Sequence, residues 1–190
     1  MSKIKVGVLG AGTMGAGIAQ VAAQSGHKVV LVDVNEKAIE SAKEKLRKII
    51  ERLIEKGKWT DDFGNEVFGR IKFSTHMQDF EGSGLVIEAI VENIEVKHVV
   101  FSKLESIVDE SCILASNTSS LSVAAIGAVL KNPSRVIGIH FFNPAPLMSL
   151  VEIIPAVQTS ESVKVEARSI IDSWDKVTVL AKDTPGFIVN

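Results

Sequence analysis

Tyrosine is absent from the 190 residues, cysteine occurs once, and proline occurs five times. Without a phenol, the nicotinamide enzymes that use a Tyr and Lys pair for proton transfer are excluded, so another side chain would have to handle a proton. The single cysteine, Cys112, cannot form a disulfide within the chain and sits in an apolar run, Cys112-Ile113-Leu114-Ala115, that reads as a buried strand. Cysteines and histidines are too sparse and scattered for a zinc cluster, and no metal is expected. No apolar run approaches the ~20 residues of a membrane span, and Met1-Ser2-Lys3-Ile4-Lys5 enters a strand without the apolar core of a signal peptide. With 21 cations against 23 acidic residues, the net charge of −2 gives nothing to attract nucleic acid. The expectation is a cytoplasmic chain with one sizeable core.

What is present is a regular alternation of strand and helix patterns. It predicts an α/β fold, a doubly wound, mostly parallel sheet of the Rossmann type with right-handed crossovers. The pivotal stretch is Gly10-Ala11-Gly12-Thr13-Met14-Gly15, between an apolar strand over 4–9 and a helix over 14–23. Gly10 permits a tight turn, Gly12 lets the backbone approach a pyrophosphate, and Gly15 lets helix and strand touch. Amides at the helix start would face phosphate. The glycine triplet alone is weak, since an ordinary strand-to-helix turn can contain it. A second apolar strand, Val29 to Val32, ends in Asp33, where a carboxylate would meet ribose hydroxyls, and no arginine follows to receive a 2'-phosphate. The spacing therefore predicts NAD rather than NADP.

Further elements follow in order. A long amphipathic helix from Glu36 to about Lys56 forms an excursion after the second strand, with its far end projecting past the sheet. A shorter helix should return over 59–70. Strands are expected over 71–74, 84–90, 112–115, 136–139, 150–154 and 177–180. Helices are expected from Ile94 to about Val108 (Val96, Val99, Val100, Leu104 and Ile107 inward), over 122–129, and from Ser160 to about Trp174 (Val163, Val165, Ile170, Ile171 and Trp174 inward).

Ligands of such sheets sit beyond the carboxyl ends of the strands, which sorts the four histidines. His27 precedes its strand, His98 lies on a helix, and His76 follows a weak strand. His140 ends an apolar one. Glu152 stands among Leu150, Val151, Ile153 and Ile154, where a charge is costly unless paired. If its strand folds back beside that of His140, the carboxylate can orient the imidazole as a general base. The plainer alternative for His140 is a strand-end histidine. Asn117 and Ser119, after the fifth strand, could contact a nicotinamide ribose or a substrate oxygen, or could simply be turn residues. Glu92, Asn93 and Lys97 after the fourth strand read as a site face or as a helix cap.

Together with the glycine turn, four further motifs occur in the order and spacing of one family: Glu88-Ala89-Ile90-Val91-Glu92-Asn93, Ser116 to Leu121, His140-Phe141-Phe142-Asn143-Pro144, and Asp183 to Asn190. Across its length the chain resembles the 3-hydroxyacyl-CoA dehydrogenases, most nearly the 3-hydroxybutyryl-CoA type. The resemblance implies NAD-dependent oxidation of an (S)-3-hydroxyacyl-CoA in fatty-acid or butanoate metabolism. His140 would be the base and Glu152 its partner, with Ser119 and Asn190 near the reacting oxygen and the histidine. Cofactor contacts would come from Gly10, Gly12, Thr13, Met14, Gly15, Asp33, Glu92, Lys97, Asn117, Ser119 and Asn143. Lys45, Arg52 and Lys56 on the long helix would meet coenzyme A, although interleaved Glu44, Glu51 and Glu55 also fit a plain solvated face. The family usually has a basic residue where Ser149 stands. The resemblance also implies a domain over 1–183, with 184–190 leading to a helical domain outside this sequence that closes the cleft and makes a homodimer. Two rival readings are a crystallin-like NAD-binding module without catalysis and a dehydrogenase of a small sugar acid.

Overall fold

The computed structural model describes residues 3–184 and 186–188. Strands β1 (Lys5–Leu9), β2 (Lys28–Val32), β3 (Ile71–Ser74), β4 (Leu85–Glu88), β5 (Ile113–Ser116), β6 (Val136–Phe141), β7 (Leu150–Pro155) and β8 (Val177–Leu180) form one sheet in the order β3-β2-β1-β4-β5-β6-β7-β8. All neighbours pair in parallel except β6 and β7, which are antiparallel. The order reverses between β1 and β4, so a crevice is set there.

Helices α1 (Thr13–Gln24), α2 (Glu36–Glu55), α3 (Asp61–Gly69), α4 (Ile94–Ile107), α5 (Val123–Gly127) and α6 (Glu161–Asp172) cover both faces. One core joins α1, α2, α3 and α6 to Val6, Val8, Leu31, Ile87, Ile139 and Ile153. The other joins α4 and α5 to Leu9, Val30, Val86, Leu114 and Ile154. Alternate residues of each strand thus feed alternate cores, and the strands carry apolar residues at both parities because neither face meets water. Each fully buried aliphatic side chain contributes about 1.5–3 kcal/mol.

Side-chain caps start most of the helices. Asn35, Thr60, Asn93, Ser122 and Ser160 accept from amides of the first turns of α2, α3, α4, α5 and α6. The returning α3 packs on the distal half of α2, where a Cβ on Gly64 would stand 2.7 Å from Ile54 Cδ1. Cys112 is fully buried at the start of β5, and burial pushes its thiol up to about 12.

The inward face of α4 differs in part from the one expected. Leu104 is buried and Val100 and Ile107 pack on the core as expected, but Val96 and Val99 are 41% and 58% exposed, and Lys97 and Phe101 face the sheet instead. A lysine at the centre of the inward stripe displaces the apolar pattern by about one residue, and its charge hides the true period. Val165 on α6 is exposed as well, its place inward being taken by Ala167.

Gly7, in the middle of β1, lies under the ring of Phe80 from a 3₁₀ turn, Met77–Phe80, and a Cβ there would come within 2.6 Å of the ring. Gly7→Ala should destabilise the chain by about 1–3 kcal/mol through overpacking, a drop in Tm of roughly 2–10 °C at this size. Chemical denaturation checks this, and a loss below ~0.5 kcal/mol would show that Phe80 gives way freely.

Candidate active site

Loops from the carboxyl ends of β1, β2, β4, β5 and β6 converge on one edge of the sheet. The glycine turn after β1 satisfies each geometric demand of a dinucleotide cradle. Gly10 has φ of 104°, and a Cβ on it would lie 2.5 Å from the carbonyl oxygen of Ala89. A Cβ on Gly15 would stand 1.8 Å from the carbonyl oxygen of Gly10, so helix and turn touch there. At Gly12 no atom beyond its own chain neighbours lies within 4 Å of the same position, and no side chain caps the first amides of α1. The space in front of the helix is open, lined by backbone donors, and fits a pyrophosphate. Thr13 is exposed and Met14 half-buried at its rim.

Asp33 braces this turn. Its Oδ2 accepts from the Ala11 amide and its Oδ1 from the Asn35 amide, both at 2.9 Å. Each oxygen keeps a lone pair for a ribose hydroxyl, and the charge would repel a 2'-phosphate. The donor set therefore fits NAD.

Across the crevice, Glu92 gathers the loop after β5. It accepts from the Thr118 hydroxyl, from the Ser119 amide at 2.9 Å and from the Ser120 amide at 3.2 Å. Burial alone would raise the pKa of Glu92, but Thr118, Lys97 and the two amides outweigh it and hold the carboxyl below its usual range. Lys97 is buried, with Nζ 2.6 Å from Glu88 Oε1 and 3.4 Å from Glu92 Oε2. It stands behind Glu92 rather than on the open surface where the sequence placed a cofactor contact, because the ion pair draws it inward. Asn93 is the cap of α4, the plainer of its two readings. Asn117 is half-buried: its Oδ1 accepts from the Phe141 amide at 2.8 Å and fixes the end of β6. Ser119 and Asn143 are exposed at the crevice edge, and the Asn143-Pro144 peptide is cis.

The reversal of direction between β6 and β7 puts His140 opposite Glu152 in register. His140 Nδ1 is 2.7 Å from Glu152 Oε2, with both residues buried. The second oxygen of Glu152 accepts from the Ile188 amide at 3.0 Å. With a carboxylate on Nδ1 the proton resides there, leaving Nε2 as an acceptor; Nε2 bonds to no described residue. Phe142 and Phe187 flank the imidazole at ring distances of 4.6 and 5.8 Å.

Lys45, Arg52 and Lys56 stand exposed at or beyond the outer face of α2, which packs on α1, α3 and β3, at the opposite end of the sheet from β6 and β7. They are not brought to the His140 pair. Asn190 lies outside the described residues.

Glu88 was missed by the sequence reading. It is fully buried, bonded to Lys97, to the Ile90 amide at 2.7 Å and to the Ser116 hydroxyl at 2.7 Å. The signal was available: one acid in the apolar run Leu85 to Ile90 is the same pattern that singled out Glu152.

Fold and crevice together define a dinucleotide-binding domain of the doubly wound class. Residues 5–184 match the model of the 3-hydroxyacyl-CoA dehydrogenase NAD-binding domain. The chain is 45% identical over 187 residues to a probable 3-hydroxybutyryl-CoA dehydrogenase of Deinococcus radiodurans, covering 98% of this chain and 67% of that protein. It is 44% identical to a probable 3-hydroxybutyryl-CoA dehydrogenase of Bacillus subtilis, covering 96% and 64%. The crystal structure of (S)-3-hydroxybutyryl-CoA dehydrogenase from Ralstonia eutropha superposes with a TM-score of 0.96 at 40% identity, covering all of this chain and 67% of that one. The chain belongs to the 3-hydroxyacyl-CoA dehydrogenase family, and its cofactor is NAD. It spans about two thirds of the length of these relatives.

The environment of Glu92 sets a pH dependence. Its lowered pKa contributes stability that is present above the ordinary value of 4.5 and is lost as pH falls through the folded value. Thr118→Val removes one of the bonds responsible. Denaturant titrations should show its stability deficit greatest at neutral pH and smaller below pH 4.5; a deficit independent of pH would mean that Thr118 does not hold the charge.

Proposed function

We propose that the chain is the NAD-binding, base-carrying part of a short-chain (S)-3-hydroxyacyl-CoA dehydrogenase that forms 3-ketoacyl-CoA, and that His140 is its general base. The observation that carries this reading is the 2.7 Å bond between His140 Nδ1 and Glu152 at the crevice edge, with Nε2 left as an acceptor.

In this mechanism the 3-hydroxyl of the substrate donates its proton to His140 Nε2 as the carbon–hydrogen bond at C3 breaks. NAD, when bound, supplies the hydride acceptor. Glu152 holds the ring in the tautomer that exposes Nε2 and stabilises the imidazolium as it forms. Phe142 and Phe187 exclude water from the imidazole, so the carboxylate acts at low dielectric. Ser119, exposed at the end of β5, offers a hydroxyl to the reacting oxygen. Asn143 and Glu92 border the nicotinamide side, with Lys97 holding Glu92, and Asn190 is assigned to the histidine's surroundings by family resemblance. In this reading the cations Lys45, Arg52 and Lys56 take the coenzyme A nucleotide, by family resemblance.

Residues 1–183 form the NAD-binding domain in this reading, and 184–190 lead towards a helical domain that makes a homodimer, in keeping with the greater length of the relatives. A cytoplasmic location fits a chain whose one cysteine is buried. Among the described residues no helix is long and apolar enough to cross a membrane.

The test is acetoacetyl-CoA-dependent oxidation of NADH by the chain together with whatever follows it in its gene. His140→Gln and Glu152→Gln should each lower kcat by about 10²–10⁴-fold and leave the KM for NADH within about twofold; an unchanged rate would remove His140 from its role. Replacing Lys45, Arg52 and Lys56 together by Gln should raise the KM for the thioester and not that for NADH, and should abolish inhibition by free coenzyme A. Equal inhibition of both proteins would assign α2 to solvent.

A further inference from the structure

The segment that follows β8 is tied to the site at two points. At one end Asp183 holds the start of α5: its Oδ1 accepts from the Val123 amide at 2.8 Å, and its Oδ2 from the Ala124 amide at 2.8 Å and the Ser122 hydroxyl at 3.0 Å. Residues 117–122, which carry Ser119 and rest on Glu92, run directly into this turn through the bond from the Leu121 amide to Thr118 Oγ1. At the other end the Ile188 amide donates to Glu152 Oε1 and the Phe187 ring lies against His140. Between them the Phe187 amide closes a turn onto the Thr184 carbonyl at 3.0 Å, and Phe187 has φ of 50°. A phenylalanine in the left-handed region is strained by about 1–2 kcal/mol, and such strain persists only where the surroundings fix it.

We infer that Asp183 is a positioning residue: by anchoring its segment on the first turn of α5, it holds the Ile188 amide and the Phe187 ring on the Glu152–His140 pair. This rests on the reading of His140 as the base. The physical case is that Glu152 Oε1 is buried and has this amide as its donor. If the anchor is lost, the only side-chain bond left to the segment among the described residues is the one to Glu152 itself, and the strained Phe187 relaxes. The carboxylate then loses one of the two bonds that fix its plane, and the imidazole with it loses its orientation. A misplacement of ~1 Å at a reacting group can cost up to about 100-fold in rate.

The experiment compares the chain with Asp183→Asn, which keeps the shape of the side chain and removes its charge, and with Ser122→Ala, which removes one donor to Asp183 together with the cap of α5 and leaves the sheet untouched. With four histidines, the imidazole proton resonances are resolved by NMR, and that of His140 is identified by its loss in His140→Gln. His98, whose Nε2 bonds the Ala125 carbonyl at 2.9 Å, reports on α5, and the remote His27 is the control. In Asp183→Asn the His140 resonance should shift and exchange of the Ile188 amide should quicken about tenfold or more, with NADH affinity within about twofold and His27 unmoved. Ser122→Ala should move the same signals less. If His98 shifts while His140 and the Ile188 amide stay put, Asp183 is a cap of α5 alone and the inference falls. Should Asp183→Asn fail to fold, the same two signals in Ser122→Ala decide. None of these readouts needs turnover, so a failure of the proposed reaction would not be mistaken for a failure of the anchor. Where acetoacetyl-CoA is turned over, kcat of Asp183→Asn should fall about tenfold with the KM for NADH unchanged.

Discussion

One reversal of strand direction organises the crevice edge. Five parallel neighbours deliver their loops to a single edge, but loops alone leave an imidazole free to turn. Because β7 runs against β6, Glu152 enters the sheet where His140 leaves it, and the ladder fixes their distance. A buried charge held this way adds little to stability, since an apolar pair of the same volume would serve as well. Its presence at the crevice edge is better explained by what an oriented imidazole can do.

The same economy of placement recurs one strand pair away. Glu88 and Glu152 both end up on the side of the sheet covered by α4 and α5, following the alternation of their strands. Glu88 reaches Lys97, Lys97 reaches Glu92, and Glu92 gathers the amides around Ser119. Removing one partner from so dry a pair costs about 3–5 kcal/mol, so the loop after β5 is held by a chain of charges rather than by packing. The opposite side of the sheet carries α1 and α2 on an aliphatic core, and the glycine turn bridges the two environments.

The strands and the glycine turn were legible because each depended on local pattern: apolar runs too short for helices, and three glycines at fixed offsets before a helix. The lone acid at Glu152 was legible for a thermodynamic reason, the cost of burying a charge, and the antiparallel return that pairs it with His140 matched the condition set for it. Glu88 carried the same signal in its own apolar run. Lys97 was read as a cofactor contact from family resemblance, and the inward face of α4 was read from the spacing of its apolar residues alone, which has no place for a buried lysine paired with Glu88. The bonds that fix Asn117 to β6 and Asp183 to α5 join residues 24 and about 60 positions apart, which no local pattern encodes. The cations of α2 remain where periodicity put them, on an exposed face.

The thiol of Cys112 has a practical corollary. With its pKa pushed up to about 12 by burial, the thiol stays protonated at neutral pH, and the sulfur is fully buried. Maleimides and spin labels will therefore ignore the native chain. A cysteine introduced at any exposed position becomes its sole reactive handle, and fluorescent or paramagnetic reporters can be attached without first deleting the natural one.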